Sequence, residues 1–451
     1  MENKQFMIYA YSSPTDGRWF IDKVLFRQKD FRTKKRYREY RNCGFNTLML
    51  QANDPYCGEP FKKSSVKRDM DRARAAGIER IILYDKRIAP YSEIEGGIVG
   101  EGKPFADEQT LDNFVRMCLS DYRKEPGFYG IMLVDEPRWR QLPSVGEMTR
   151  AIKRVAPEVF VQCNILPLYH GCNTQYAEHG AEMTTEEAFR AYLEDYLDRT
   201  QAEYLLYDSY PMREEPEKGF FLLRFHLPGL QIAAEVTKAR KIPFYFVAQT
   251  TAYLVHMRQR FRACNEADMR WQINCLLAFG IKSFSYYTYW RKQDNYTQGG
   301  FHPDGTQFIC NDGRRAPLYE VMKRIHAEMQ RLAPFLLDCE WERATRFSAG
   351  EPPEFLAGMR ETEIPDLERV GAEGEYALVA TELLHKPSGR TVVAFFNAAD
   401  PRGPHPEAVR IAPRFRKKAL SRFGLKSENG PVPPCADLEA GEAVFYVLEK
   451  E

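Results

Sequence analysis

Residues Phe128-Tyr129-Gly130-Ile131-Met132-Leu133-Val134-Asp135-Glu136-Pro137 form an apolar run that stops on two acids and a proline. A short continuous apolar run of this kind reads as a strand buried on both faces, the texture of a parallel sheet. An acid at the edge of a core has to be offset by partners or by a function, because the charged form loses its water there. Asp135 and Glu136 are therefore the first candidates for a chemical role.

Seven further runs share this texture, at 6–12, 47–52, 80–84, 159–166, 204–209, 244–249 and 283–290. Between them lie charged segments whose apolar residues recur near helical spacing, at 30–43, 65–76, 110–122, 185–199, 229–240 and 267–279. Eight strands alternating with helices predict an α/β chain built as a (β/α)8 TIM barrel. After a helix near 318–332 the texture changes to strand-like stretches at 376–384, 391–397 and 443–448, separated by turns containing Pro and Gly. The expected layout is a barrel over 1–336 and a small all-β sandwich over 337–451, with 337–374 as a connection plus an irregular first strand. The glycines of Gly96-Gly97-Ile98-Val99-Gly100-Glu101-Gly102 follow no strand and open no helix, which argues against a dinucleotide-binding sheet.

Composition narrows the function classes. The 64 basic and 63 acidic residues nearly cancel, so the basic footprint of nucleic-acid binding is missing and a neutral partner is expected. Ten scattered cysteines contain no Cys-x-x-Cys pair, and the eight histidines show no metal-binding spacing, so neither a metal nor another cofactor is expected. The chain starts Met1-Glu2-Asn3-Lys4 without an apolar leader and has no stretch of about 18 apolar residues, so a cytoplasmic protein without membrane contact is expected. Oligomeric state leaves no trace in the sequence.

In a parallel barrel the chemistry sits where the strands end, at their carboxyl edge. The fourth run supplies Asp135 and Glu136; side-chain alternation puts Glu136 on the face of Gly130, Met132 and Val134, and Asp135 on the face of Ile131 and Leu133. Glu136 is thus expected to point inward. The sixth run ends in Asp208-Ser209-Tyr210-Pro211, the seventh in Gln249, and the eighth in Tyr286-Tyr287-Thr288-Tyr289-Trp290. Gln51 and Asn53 end the second run, Asp85 the third, and Asn164 with His170 follow the fifth. Acids, amides and flat rings around one mouth suit a polyhydroxylated neutral ligand. Structural alternatives stand beside these readings: Glu136 can pair with Arg138, and Asp208 before Ser-Tyr-Pro is also ordinary turn chemistry.

The segment Val134-Asp135-Glu136-Pro137 resembles the fourth-strand Asn-Glu-Pro of the clan A glycoside hydrolases and the β-galactosidase-like barrels near them. The segment from Glu266 through Gly280 into Ser285-Tyr286-Tyr287-Thr288-Tyr289-Trp290 resembles their last helix and eighth strand. The resemblance implies O-glycosidic bond hydrolysis on a small glycan or oligosaccharide. Glu136 would be the general acid/base, Asp135 would stand where the family has a sugar-binding Asn, and Trp290 would lie under the sugar. One departure matters: the family nucleophile is a Glu ending the seventh strand, where this chain has Gln249. Three arrangements stay open. Asp208 is the second carboxylate, or the substrate supplies its own N-acetyl nucleophile as in β-N-acetylhexosaminidases, or the barrel binds glycans without cleaving them. Tyr210, Asn164, His170 and Gln249 complete the set expected to contact substrate.

Overall fold

The computed structural model describes residues 4–14, 31–50, 55–254, 260–290, 307–310, 313–403, 408–427, 430 and 432–450. Eight parallel strands carry the first part of the chain: β1 (Met7–Ile8), β2 (Thr47–Leu50), β3 (Arg80–Tyr84), β4 (Phe128–Asp135), β5 (Phe160–Asn164), β6 (Leu205–Asp208), β9 (Phe244–Gln249) and β12 (Ser283–Tyr287). Their order and spacing match the eight apolar runs, although most are shorter than the run that announced them. Gln51 and Asn53, expected at the end of the second strand, lie outside the described residues.

These strands form two four-stranded sheets, in the orders β1-β12-β9-β6 and β2-β3-β4-β5. Two seams link them. At one, the Asn46 backbone N–H donates to the Ile8 carbonyl while its side-chain Oδ1 accepts from the Ile8 N–H, each at 3.0 Å. At the other, the Ile165 N–H donates to the Leu206 carbonyl at 3.0 Å, in a parallel bridge with Tyr207. Side chains from alternate positions, including Met7, Tyr9, Met49, Ile82, Met132, Phe160, Leu206 and Val247, pack into one interior cluster. Gly130 is required there, since a Cβ on it would fall 2.2 Å from the Phe160 carbonyl oxygen.

The crossovers carry helices α1 (Lys34–Asn42), α2 (Ser65–Arg74), α3 (Glu108–Leu119), α4 (Leu142–Val155), α5 (Asn173–Tyr176), α6 (Thr185–Thr200), α7 (His226–Arg240), α8 (Glu266–Ala278) and α9 (Pro317–Leu336), with a short α10 (Glu354–Ala357) beyond them. Side-chain caps fix several starts: Thr184 and Glu187 form a capping box on α6, and Asn265 with Asp268 form one on α8. Helix α4 was not among the expected helices, although Pro143 in its first turn is a recognised start signal. No helix among the described residues is long and apolar enough to cross a membrane.

Two features break the simple alternation. A four-stranded antiparallel unit, ordered β10-β11-β7-β8, follows the ends of β6 and β9 and is built from β7 (Met212–Glu215), β8 (Gly219–Leu222), β10 (Tyr253–Leu254) and β11 (Arg260–Phe261). Beyond α9 the stretch expected to be mostly connection holds two real strands, β13 (Cys339–Ser348) and β14 (Leu367–Ala372). With β15 (Ala377–His385), β16 (Arg390–Asn397), β17 (Val409–Phe415), β18 (Ala419–Phe423), β19 (Ala436–Leu438) and β20 (Ala443–Leu448) they form two sheets, β13-β15-β16-β20-β18 and β14-β17-β19. One face of the larger sheet, with Leu378, Val393 and Phe395, meets Val409, Ile411 and Leu438 of the smaller. The other face, with Val379, Ala394 and Phe396, joins the main core, and Trp271 of α8 lies edge-on to Phe396 at 5.2 Å. Each fully buried side chain of this size contributes about 1.5–3 kcal/mol.

Candidate active site

The carboxyl end of β4 does not continue the alternation. Met132 pairs with Gln162 and Val134 with Cys163, so one residue is inserted into β4 between them. The insertion re-aims the side chains beyond it. Asp135, expected on the outward face of Ile131 and Leu133, instead accepts hydrogen bonds from the interior: its Oδ1 takes the Asn164 Nδ2–H at 3.1 Å and the Tyr11 hydroxyl at 3.4 Å. Both acids of the pair therefore belong to the mouth.

Glu136 sits at φ +51°, in the left-handed region, which costs a non-glycine residue about 1–3 kcal/mol. Contacts on both sides hold it there. Its N–H donates to the Asn164 carbonyl at 2.8 Å, and the next carbonyl, of Pro137, accepts from the Tyr192 hydroxyl. Its side chain is open to solvent. The carboxyl is nonetheless pushed up to about 7, first by the protein atoms crowding the mouth around it and second by the negative charge of Asp135.

Asp208 ends β6 with 2 % exposure, and its Oδ1 has no hydrogen-bond partner among the described residues. Burial, then Glu136, then Asp135 raise its carboxyl well above the usual carboxylate range, while the polar side chains of Tyr210 and Asn164 act in the opposite sense. The Asn164 Oδ1 also lacks a partner among the described residues. Asp135, Glu136, Asn164, Asp208 and Tyr210 are thus brought together, as three carboxyls that influence one another's protons. Among the described residues no cluster of His, Cys, Asp and Glu has the geometry to hold a metal ion.

Two further aromatic rings, of Tyr287 and Tyr11, join this group. Tyr210 stacks on Tyr287 with centroids 5.8 Å apart, and Tyr11 meets Tyr287 edge-on at 5.9 Å. Tyr11 and Tyr287 were not named as site residues from the sequence; Tyr287 ends β12, the same signal that marked Asp208, and Tyr11 follows the end of β1 with its N–H donating to the Tyr286 carbonyl at 2.9 Å. His226 was missed as well. Its Nδ1 meets the hydroxyl of Ser209, the residue after Asp208, at 3.0 Å, and burial lowers its pKa to about 3, so it stays neutral.

Four expected residues have other surroundings. Gln249 is 1 % exposed and turned to backbone: its Oε1 accepts from the Met212 N–H at 2.9 Å, and its Nε2 donates to the Met212 and Arg262 carbonyls at 3.0 and 3.3 Å. Its hydrogen-bonding capacity is used in holding the turn after β6, which corrects its assignment as a hydroxyl ligand. Trp290 is 1 % exposed, with Phe31 at 4.9 Å and the Arg36 guanidinium 5.6 Å from its ring, so it packs in the core where an open platform was expected. Strand β12 ends at Tyr287, three residues earlier than the expected run, and this moves the strand-end aromatic to Tyr287. His170 is exposed and parallel to Phe225 at 6.2 Å. Asp85 is fully buried and takes Arg87 and the Tyr122 hydroxyl, at 2.7 and 2.8 Å on its Oδ2.

No protein-family model and no curated protein matches the sequence. Among solved structures the chain is similar to a glycoside hydrolase with a TM-score of 0.50 at 9 % identity, the alignment covering 100 % of this chain and 96 % of that one. It is similar to a family 5 glycoside hydrolase from Bacteroides vulgatus with a TM-score of 0.50 at 11 % identity, covering 98 % of this chain and 89 % of that one. At such identities the likeness establishes the fold: the chain has a glycoside-hydrolase-like fold, as the fourth-strand resemblance implied.

Proposed function

We propose that the chain is a glycoside hydrolase acting on small glycans or oligosaccharides, on a closed (β/α)8 barrel over 1–336 with a C-terminal β-sandwich over 337–451. The observation that carries this reading is Glu136, strained at a strand end and holding its proton up to about pH 7 beside two further carboxyls. An acid poised near neutrality is what protonation of a leaving glycosidic oxygen needs. Glu136 gives that oxygen its proton as the C1–O bond breaks and later takes a proton from water. Asp208 is the second carboxylate. When Glu136 carries the proton the larger of the two like charges facing Asp208 is gone, so Asp208 ionises more readily in the state that is ready to react. It then either bonds to C1 or accepts a proton from the attacking water, according to the separation of the two groups. Asp135 and Asn164 offer polar atoms to sugar hydroxyls, and the Tyr210 and Tyr287 rings offer apolar faces.

The 2 % exposure of Asp208 favours a second reading, in which the substrate's own N-acetyl oxygen attacks C1 and Asp135 orients it. The test is hydrolysis of aryl α- and β-glycosides, N-acetylhexosaminides included, by the wild type, Glu136→Gln and Asp208→Asn. Turnover lost in Glu136→Gln by about 10²- to 10⁴-fold supports the assignment of the acid. Activity confined to N-acetylhexosaminides and spared by Asp208→Asn selects the second reading. Glycan binding without any turnover by the wild type refutes hydrolysis.

A further inference from the structure

The junction between the C-terminal sheets and the β7/β11 unit holds a ring of four charged side chains, with Arg262 and Asp268 buried, Asp400 and Arg402 partly exposed, and the Arg402 backbone N–H closing the ring on Asp400 at 3.0 Å. Arg262, next to β11, is 0 % exposed, and its two terminal nitrogens donate to both oxygens of Asp400, each at 2.7 Å. Its Nη2 also donates to Asp268 at 2.6 Å, and Arg402 reaches the other oxygen of Asp268 at 2.8 Å. The Phe220 ring of β8 lies against both cations, 5.1 Å from Arg262 and 4.2 Å from Arg402. Two acids and two bases cancel, and bidentate geometry offsets the desolvation of a pair this deep.

The backbone of Arg262 leads from this ring to the candidate site. Its N–H donates to the Met212 carbonyl at 3.0 Å, and its own carbonyl accepts from the Gln249 amide that also binds both backbone groups of Met212. Met212 follows Pro211 and Tyr210, and Phe261, the neighbour of Arg262, lies edge-on to the Tyr210 ring at 5.6 Å. Asp400 and Arg402 come from the turn after β16, in a different part of the fold from the carboxyls.

We propose that Asp400 is a positioning residue for the candidate site: through Arg262 it fixes the turn that follows β6 and with it the placement of Tyr210 against Asp208. The C-terminal sheets thereby complete the mouth of the barrel without touching substrate. This inference rests on the proposed hydrolysis only for its kinetic consequence; the mechanical coupling stands by itself.

The test is amide hydrogen exchange on the full chain, comparing the wild type with Asp400→Asn. The expected result is faster exchange at Met212 and Arg262, out of proportion to any change at β15 and β16. In the active enzyme the acidic limb of the pH profile of kcat/KM should move to higher pH, because a displaced Tyr210 no longer favours the charged form of Asp208. The size of that move should match the one in Tyr210→Phe, and the double variant should add nothing. The accompanying fall in kcat/KM is about 10- to 100-fold. Should Asp400→Asn fail to fold, Arg402→Gln loosens the same ring at its outer edge, with a smaller change of the same sign expected. Unchanged protection of Met212 and Arg262 overturns the proposal, whether or not any glycoside is cleaved. Changed protection with an unmoved acidic limb in an active enzyme overturns the link to Asp208. Absence of hydrolysis in the wild type bears on the proposed function and leaves the exchange result to decide the coupling.

Discussion

Asn164 and Asp135 are register partners across β5 and β4, and the Asn164 amide donates to the Asp135 carboxylate at 3.1 Å while its own Oδ1 stays without a partner among the described residues. An unpartnered buried acceptor costs about 1–3 kcal/mol unless something binds it. Within the proposed function that something is a sugar hydroxyl, whose donation to Oδ1 would complete the amide. Asn164→Ala is expected to raise KM for a glycoside by about tenfold, the equivalent of about 1.4 kcal/mol, while Asn164→Asp adds a fourth carboxyl to the cluster and should be worse. Steady-state kinetics on both variants checks this; Asn164→Ala with unchanged KM would remove Asn164 from the substrate contacts.

The raised pKa of Glu136 fixes the sign of two pH effects. As a general acid it must be protonated, so kcat/KM should fall tenfold per pH unit above about 7. Its folded-state value lies above the ordinary 4.5, so between about 4.5 and about 7 the folded chain binds more protons at this site than the unfolded chain. Stability from this group is therefore fully present below about pH 4.5 and lost as pH rises through about 7. Glu136→Gln, which cannot ionise, should melt close to the wild type at pH 4.5 and progressively above it toward pH 7, with no further divergence beyond. Melting curves from pH 4.5 to 8.5 on both proteins give the test, and a variant that loses ground to the wild type as pH rises contradicts the assignment.

Gln249 stands where the resemblance implied a nucleophilic Glu, and its contacts say what restoring that Glu would do. Both of its side-chain amide hydrogens go to carbonyls, of Met212 and Arg262. Gln249→Glu would set an acceptor against those two carbonyls in a site that is 1 % exposed. A loss of about 2–4 kcal/mol is expected, from two broken bonds and a buried carboxyl left with the Met212 N–H as its one remaining donor of the three contacts. Denaturant unfolding measures it. Activity should fall with the displaced turn after β6, and a gain of activity in Gln249→Glu would show that the seventh strand end belongs to the reacting centre after all.

The parts of this fold that were legible in sequence are those governed by one local rule. Parallel strands covered on both faces are near-continuous apolar runs, and all eight were found in order; the strand-end rule then picked out Asp135, Glu136, Asn164 and Asp208. Three things escaped because they depend on partners remote in sequence. The inserted residue between Met132 and Val134, which turns Asp135 inward, exists only relative to β5. The duty of Gln249 depends on Met212, 37 residues away. Strand β17 alternates, with Val409, Ile411 and Phe415 turned to the core or partly so against strands β14 and β19, but Arg410, Pro413 and Arg414 between them mask the apolar signal. Tyr287 was missed for a simpler reason: the apolar run 283–290 continues past the end of its strand into Tyr289 and Trp290, whose burial belongs to a different part of the core.

Tyr287 and Trp290 separate ligand contact from packing. Tyr287 is half-buried, with Tyr210 stacked on it and Tyr11 at its edge. Trp290 is buried against Phe31, with the Arg36 guanidinium over its ring. Tyr287→Ala should therefore raise KM by about tenfold or more, since a ring against a sugar contributes on the order of 1–3 kcal/mol of apolar contact, with a small loss of stability. Trp290→Ala should do the reverse, costing about 3–5 kcal/mol of stability through the cavity it leaves while the surviving folded enzyme keeps its KM. Measuring both quantities on both variants makes the contrast internal: if Trp290→Ala raises KM with its melting temperature unchanged, the indole is a substrate platform, and the aromatic floor of the site has to be moved from Tyr287 back to Trp290.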